Sequence, residues 1–248
     1  MKWTRGMRVV VASGMLLASV GSAPASAGIA YPAPDRLPPA GLATLLDRYQ
    51  ANRTAVREAL AIARANGDTS RATILESLAG RDLLEFDARG NGRAVEVVGD
   101  LAVADRIAVV VPGSHTTLDN FDGSRSPGSG ARALAAEIEA TGTGDRVAVV
   151  AWLGYDTPQG ISPLAATGTL ARAGASVLRT TVDDLRAVNP DAPIALFCHS
   201  YGSVVCAYAA PEVTVADLVF YGSPGVGVDT AAELGTSARV WAGRSGGD

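Results

Sequence analysis

Histidine, cysteine and lysine are nearly missing from this 248-residue chain, which has two histidines, two cysteines and a single lysine. The cysteines, Cys198 and Cys206, form neither a CxxC pair nor a Cys/His ligand pattern, which argues against a structural zinc site. The shortage of histidine means that any chemistry needing an imidazole has only His115 and His199 to draw on. An excess of positive charge is also lacking: the net charge is −4, which argues against nucleic acid and anionic membranes as partners. Beyond the N-terminus no apolar run is long enough to span a bilayer, so the mature protein reads as soluble, without stable membrane insertion.

The lone lysine, Lys2, stands with Arg5 and Arg8 ahead of an apolar run from Val9 to Val20, which closes on Ala25-Ser26-Ala27. A basic start, an apolar centre and a small-x-small end make residues 1–27 a secretory signal peptide, so the protein is expected to be exported and cleaved after Ala27. The alternative, a membrane anchor, is weakened by a short run broken at Ser13, Gly14 and Ser19. Three of the 21 basic residues lie in this leader, which leaves 18 against 25 acidic ones in the remaining 221 residues. That length suits one domain with a sizeable core.

Residues 28–41 form a Pro-rich lead-in and residues 42–80 a helical prefix, with Leu42, Leu45, Leu46, Tyr49, Val56, Leu60 and Ala63 at helical spacing. The Asn52-Arg53-Thr54 sequon falls inside that helix. From residue 81 to 248 the pattern changes. "LLEFD" and "RAVEVVG" flank the turn signal Gly90-Asn91-Gly92 as a hairpin. Apolar, β-branched runs follow at 106–113, 146–154, 193–199, 217–225 and 238–243, with helical segments at 131–141, about 164–188 and 201–210 between them. Continuous apolar strands alternating with helices predict an α/β fold with a doubly wound, mostly parallel sheet.

In such sheets the reactive site lies beyond the C-terminal strand ends. There "PIALFCHSYGSVVC" runs from a buried strand through Ser200 directly into a helix, the arrangement of a nucleophile elbow. So tight a turn needs small residues two before and two after the serine, and Cys198 and Gly202 meet that need. The amide of Tyr201, at the helix start, is one expected oxyanion donor, and the Ser114 amide in "VVVPGSHTT" is the second. The competing explanation of Ser200 is an ordinary N-cap serine. His199 is expected to point to the opposite side of the strand, and His115 to face the substrate oxygen rather than Oγ.

Tyr155 and Asp156, at the end of the fourth run, are candidates to line a substrate pocket, although a solvated aspartate explains Asp156 equally well. Cys198 and Cys206 either pair across the elbow or remain small buried thiols, because a separation of eight across a tight turn can misplace the Cβ atoms. Gly128-Ser129-Gly130 through Ala133 mimics a dinucleotide fingerprint but does not directly follow a strand. Asp119, Asn120 and Asp122 lack the alternation of a calcium loop. No metal and no organic cofactor is expected.

The segments "VVVPGSHTTLDNF", "AWLGYDTP", "CHSYGSVVC", "VFYGSPGVGVDTAAEL" and "RVWAGRSGGD" together resemble the secreted actinobacterial α/β-hydrolases grouped as domain of unknown function ten-twenty-three. The resemblance covers roughly residues 83–248 and departs from the commoner "GHSYGS" elbow at Cys198. It implies an α/β-hydrolase fold with Ser200 as nucleophile acting on a small-molecule ester or acyl substrate. It also implies that the acid follows a late strand, at Asp248 with Asp229 in reserve, and that the histidine comes later still. By that order the chain stops before its base, and reads as a truncated or degenerate hydrolase. A rival from another class is a secreted binding protein that keeps the fold without turnover.

Overall fold

The computed structural model describes residues 29–160 and 168–243. The expected leader, residues 1–27, and Asp248 lie outside these described residues. After a 3-10 turn at Leu42–Thr44 come helices α1 (Leu45–Ala65) and α2 (Thr69–Leu78) and a hairpin of β1 (Asp82–Asp87) and β2 (Arg93–Val98). Then β3 (Arg106–Val111), α3 (Pro127–Thr141), β4 (Val147–Leu153), α4 (Thr169–Val188), β5 (Ile194–His199), α5 (Gly202–Ala209), β6 (Asp217–Tyr221) and β7 (Arg239–Gly243) complete the described chain.

The seven strands form one sheet in the order β1-β2-β4-β3-β5-β6-β7. The β1–β2 and β2–β4 pairs are antiparallel, and the pairs from β4 through β3, β5 and β6 to β7 are parallel. The sheet is thus mixed, with its parallel part where the long β-branched runs predict it. Strand order reverses at β3/β5: the chain steps from β3 to β4 on one side, and from β5 to β6 and β7 on the other. In open α/β sheets that reversal opens a crevice at the C-terminal strand ends, because the connecting helices leave to opposite faces.

Side-chain alternation along the strands divides the core in two. Ile107, Val109, Val111, Val150, Trp152, Ile194, Leu196 and Cys198 pack against α4 and α5. Ala108, Val110, Val149, Ala151 and Leu153 pack with α2, α3 and the second half of α1. Helix α1 belongs to both halves: Leu45 and Tyr49 join the first cluster, while Val56, Ala59, Leu60 and Ala63 join the second. It therefore covers the β1 side of the sheet. Within it Asn52 is buried, and its amide donates to the Leu83 carbonyl at 2.8 Å, so the sequon serves packing.

Helix α3 begins at Pro127, four residues ahead of the pattern-based start, because proline at the first helical position needs no N–H partner and has its φ already set. The glycines of the fingerprint-like stretch thus lie inside the first turn of a helix, not on a strand-to-helix loop. A methyl group on Gly128 would meet the Phe121 carbonyl oxygen at 2.8 Å, so glycine there serves close packing. The polar residues of the preceding loop are likewise committed: Asp119 pairs with Arg71, Asp122 with Arg81 and Arg132, and Asn120 closes a capping box with Thr117.

Candidate active site

Strand β5 delivers the chain to Ser200, whose N–H still donates to the Tyr221 carbonyl at 3.1 Å, continuing the β5–β6 ladder by one bond. The backbone then turns at once. Ser200 has φ +52°, one of two non-glycine residues with positive φ among those described. A left-handed serine costs on the order of 1 kcal/mol or more relative to glycine and persists only where its surroundings hold it. Helix α5 starts two residues later, with Tyr201 as its N-cap residue. The Ser203 N–H donates to the Ser200 carbonyl at 2.9 Å, and the Ser203 hydroxyl bonds the Cys198 carbonyl at 3.1 Å, closing the turn from inside.

Two glycines make the approach possible. A methyl group at Gly202 would lie 2.6 Å from the Pro112 carbonyl oxygen and 2.7 Å from that of Val111. One at Gly113 would lie 2.7 Å from Ser200 Cβ and 3.1 Å from Oγ. The loop after β3 and the turn after β5 therefore touch backbone to backbone at the point where strand order reverses. The steric demand expected at Gly202 is met in these contacts. Cys198, the residue two before the serine, is bonded through its sulfur to Cys206 in α5, across a Cα–Cα distance of 6.4 Å, and both residues are fully buried.

The remaining candidates fall into two groups. Ser114 follows Gly113 directly and is half-buried, and its N–H donates to no acceptor among the described residues. Tyr201 is half-buried, and burial, ahead of the charge of Tyr208, pushes its phenol up. Asp229 is exposed; its N–H donates to Glu233, just before a 3-10 turn at Ala231–Leu234.

Tyr155 is packed in the core, whereas Asp156 lies at the surface. Tyr155 is 3% exposed, stacks on Trp152 with ring centroids 5.6 Å apart, and donates its hydroxyl to the Pro112 carbonyl at 2.8 Å. Burial pushes its phenol well above the ordinary range. Asp156 is exposed and pairs with Arg93 of β2 at 2.7 Å. The physical reason is alternation: after β4 successive side chains point to opposite sides, so Tyr155 and Thr157 turn inward while Asp156 turns to solvent.

Neither histidine hydrogen-bonds Ser200 Oγ. His199 points to the α3 side of the sheet, its ring 5.1 Å from that of Tyr221. It lines a cavity of about 240 Å³ with Pro112, Arg125, Pro127 and Gly130. Burial first, and the nearby Arg125 charge second, hold its imidazole below the usual histidine range. His115 is exposed at φ +61°, and the bonds recorded for it are backbone ones: its N–H donates to the Pro158 carbonyl and its own carbonyl accepts from Asn120. No group of three or more histidine, cysteine or acidic side chains among the described residues converges as a metal site would require.

Sequence reasoning passed over Thr157, Thr116 and Gln159, which tie the loops after β3 and β4 together. The Thr157 hydroxyl donates to the Thr116 carbonyl at 2.7 Å and accepts from Gln159 at 2.7 Å. Partners 41 residues apart leave no local pattern that could have revealed them.

Residues 87–248 match a family model described as alpha/beta hydrolase. An uncharacterized protein of Mycobacterium tuberculosis is 36% identical over 166 residues, 63% of this chain and 62% of that protein. A second uncharacterized protein of the same species is 32% identical over 147 residues, 55% of this chain and 21% of the other. The chain thus spans less than two thirds of the length of these curated relatives. Among solved structures, an a/b serine hydrolase without lid from Xanthomonas campestris is 17% identical, covering 66% of this chain and 83% of its own, at a TM-score of 0.39. A thermostable carboxyl esterase from Bacillus coagulans is 16% identical, covering 58% and 44%, at 0.32.

Proposed function

The chain belongs to the alpha/beta hydrolase family, and from that premise we propose that it is an exported serine hydrolase that cleaves small carboxylic esters through an acyl-enzyme on Ser200. The observation that carries this is the left-handed Ser200 at a strand-to-helix turn, its side chain against Gly113 and its helix pressed onto the Pro112 carbonyl through Gly202. An N-cap serine has extended backbone, so the positive φ favours the elbow over the competing explanation.

In the proposed reaction Ser200 Oγ attacks the ester carbonyl carbon while a general base takes its proton. The amides of Tyr201 and Ser114 hold the resulting oxyanion, the alcohol leaves with a proton, and water then releases the acid. Neither described histidine is assigned as the base: His199 points to the α3 side of the sheet, and His115 sits on an exposed turn. The acid is assigned to Asp248, with Asp229 in reserve, on the order of such folds alone. Export rests on the leader of residues 1–27, and placement among the secreted hydrolases of domain ten-twenty-three rests on the five motifs that resemble it.

Ser200 Oγ has no hydrogen-bond partner among the described residues, which favours a second reading, a secreted protein that binds acyl ligands in the same crevice without turnover. One experiment separates the two. The full-length protein and Ser200→Ala are treated with a fluorophosphonate probe and, separately, with p-nitrophenyl butyrate. Labelling and turnover lost in the variant are expected; labelling that survives the substitution, or none in the wild type, overturns the hydrolase reading. Butyrate binding without either would favour the second.

A further inference from the structure

Resting on the reading of Ser200 as nucleophile, we infer that Tyr155 and Thr157 are positioning residues that set the oxyanion loop, Pro112–Thr117, against the nucleophile. Three bonds join the loop after β4 to the loop after β3. The Tyr155 hydroxyl donates to Pro112 at 2.8 Å, the Thr157 hydroxyl donates to Thr116 at 2.7 Å, and the His115 N–H donates to Pro158 at 2.8 Å. They grip the loop near its start, its middle and its end, with Ser114 between the first and third.

Both side-chain donors are themselves held. The Tyr155 ring stacks on Trp152, whose indole N–H donates to Thr181 Oγ1 of α4 at 2.9 Å. A methyl group at Gly174 of α4 would stand 3.0 Å from the Tyr155 ring, so the helix packs closely against it. Thr157 is 3% exposed, and its hydroxyl accepts from Gln159, which commits its one proton to the Thr116 carbonyl. Asp156, between the two, is drawn outward by Arg93 and so keeps both neighbours turned in.

The Pro112 carbonyl is the point where brace and elbow meet. It accepts from Tyr155 and lies against the α carbon of Gly202, since a methyl group there would come within 2.6 Å of the same oxygen. That carbonyl belongs to the peptide unit that carries the Gly113 N–H, and the next peptide carries the Ser114 N–H. Thr116 adds a bond from its own hydroxyl to the Gly113 carbonyl at 3.2 Å, which fixes the far side of that next unit. An oxyanion donor works over a range of about 2.7–3.1 Å, so a shift of a few tenths of an ångström in this peptide pair weakens transition-state binding more than substrate binding. Without the two side-chain hydroxyls the loop would retain its sequence and lose its registration.

Tyr155→Phe deletes one hydroxyl and keeps the ring; Thr157→Val deletes another and keeps the shape; Thr157→Ser restores the second hydroxyl. With p-nitrophenyl butyrate as substrate, kcat is expected to fall about tenfold or more in Tyr155→Phe and Thr157→Val while KM stays within about twofold, and to recover in Thr157→Ser. Hydrogen exchange of the amides from Gly113 to Thr117 should quicken in the first two variants and not in the third. Unchanged kcat in both deletions, or Thr157→Ser as impaired as Thr157→Val, overturns the brace while fluorophosphonate labelling of Ser200 in the wild type leaves the hydrolase reading standing. Absence of that labelling removes the nucleophile, and the inference falls with it.

Discussion

At Ser200 a single residue concentrates what the fold needs and what the proposed chemistry needs. Its φ of +52° is a conformation that glycine adopts freely, so the serine is retained at a cost in stability. Ser200→Gly should therefore be more stable than Ser200→Ala by about 1 kcal/mol, the relief of strain being partly offset by the extra freedom of glycine in the unfolded chain. Chemical denaturation of both variants measures the difference, and equal midpoints would show that the turn carries no strain. The elbow was legible from the sequence because its requirements are local: a strand before, a helix after, and small residues at 198 and 202. Tyr155 and Asp156 were legible only as residues at a strand end. The direction each takes depends on Pro112 and Arg93, far away in the chain.

Among elements, the pair β5 and α5 is joined twice, by the turn at Ser200 and by the disulfide from Cys198 to Cys206. An even count of cysteines left pairing open, and the deciding quantity was the distance across the turn. Helix α5 folds back beside β5 closely enough to bring the two α carbons within 6.4 Å. Replacing both cysteines by alanine should lower stability by about 2 kcal/mol, since a short loop gives a modest constraint on the unfolded chain. Both sulfurs are buried, so alkylation after reduction is expected only under conditions that open the domain. Ready alkylation of the native reduced protein would contradict that packing. Strands and helices were otherwise readable from runs and periodicity, and the shift in the start of α3 traces to a proline whose helix-starting role outweighs the apolar pattern.

For the whole molecule, a four-residue polar network fastens the loop after β3 to the sheet. Glu96 of β2, only 4% exposed, accepts from Arg81 at 3.2 Å and from Arg132 of α3 at 3.0 Å, and the same two arginines hold Asp122. Burial alone would raise the Asp122 carboxyl, but hydrogen bonding and charge from Arg81, with Arg132 behind them, hold it below the usual aspartate range. Asp105, paired with Arg146, is held down to about 2, and Asp87 and Asp217 are lowered by Arg89 and Arg239. For each the folded pKa lies below the unfolded one, so the stabilisation is full above the ordinary aspartate value and is lost as pH falls through the folded value. Glu85 and Asp184, raised by burial, work the other way and weaken the fold as pH rises through their values. Asp122→Asn should be less stable than wild type by about 2 kcal/mol at neutral pH, and the gap should narrow as the pH falls below the ordinary aspartate value. Thermal melts across that range test it; a gap independent of pH would mean that packing, not charge, sets the cost.

The sequence by itself determined the order and kind of the elements, the parallel core of the sheet, and the elbow with its small neighbours. These follow from interactions between residues close in the chain: β-branched runs, helical periodicity, turn chemistry and steric limits at one tight corner. Only the tertiary structure decided that α1 closes over the β1 side of the sheet, that Cys198 and Cys206 meet, and that Arg81 and Arg132 share Glu96 and Asp122. It also decided that Tyr155 and Thr157 face the loop after β3. Each of these joins groups that are distant in sequence or separated by a reversal of the chain, and such pairings are fixed by how the sheet stacks its strands, which no local pattern encodes.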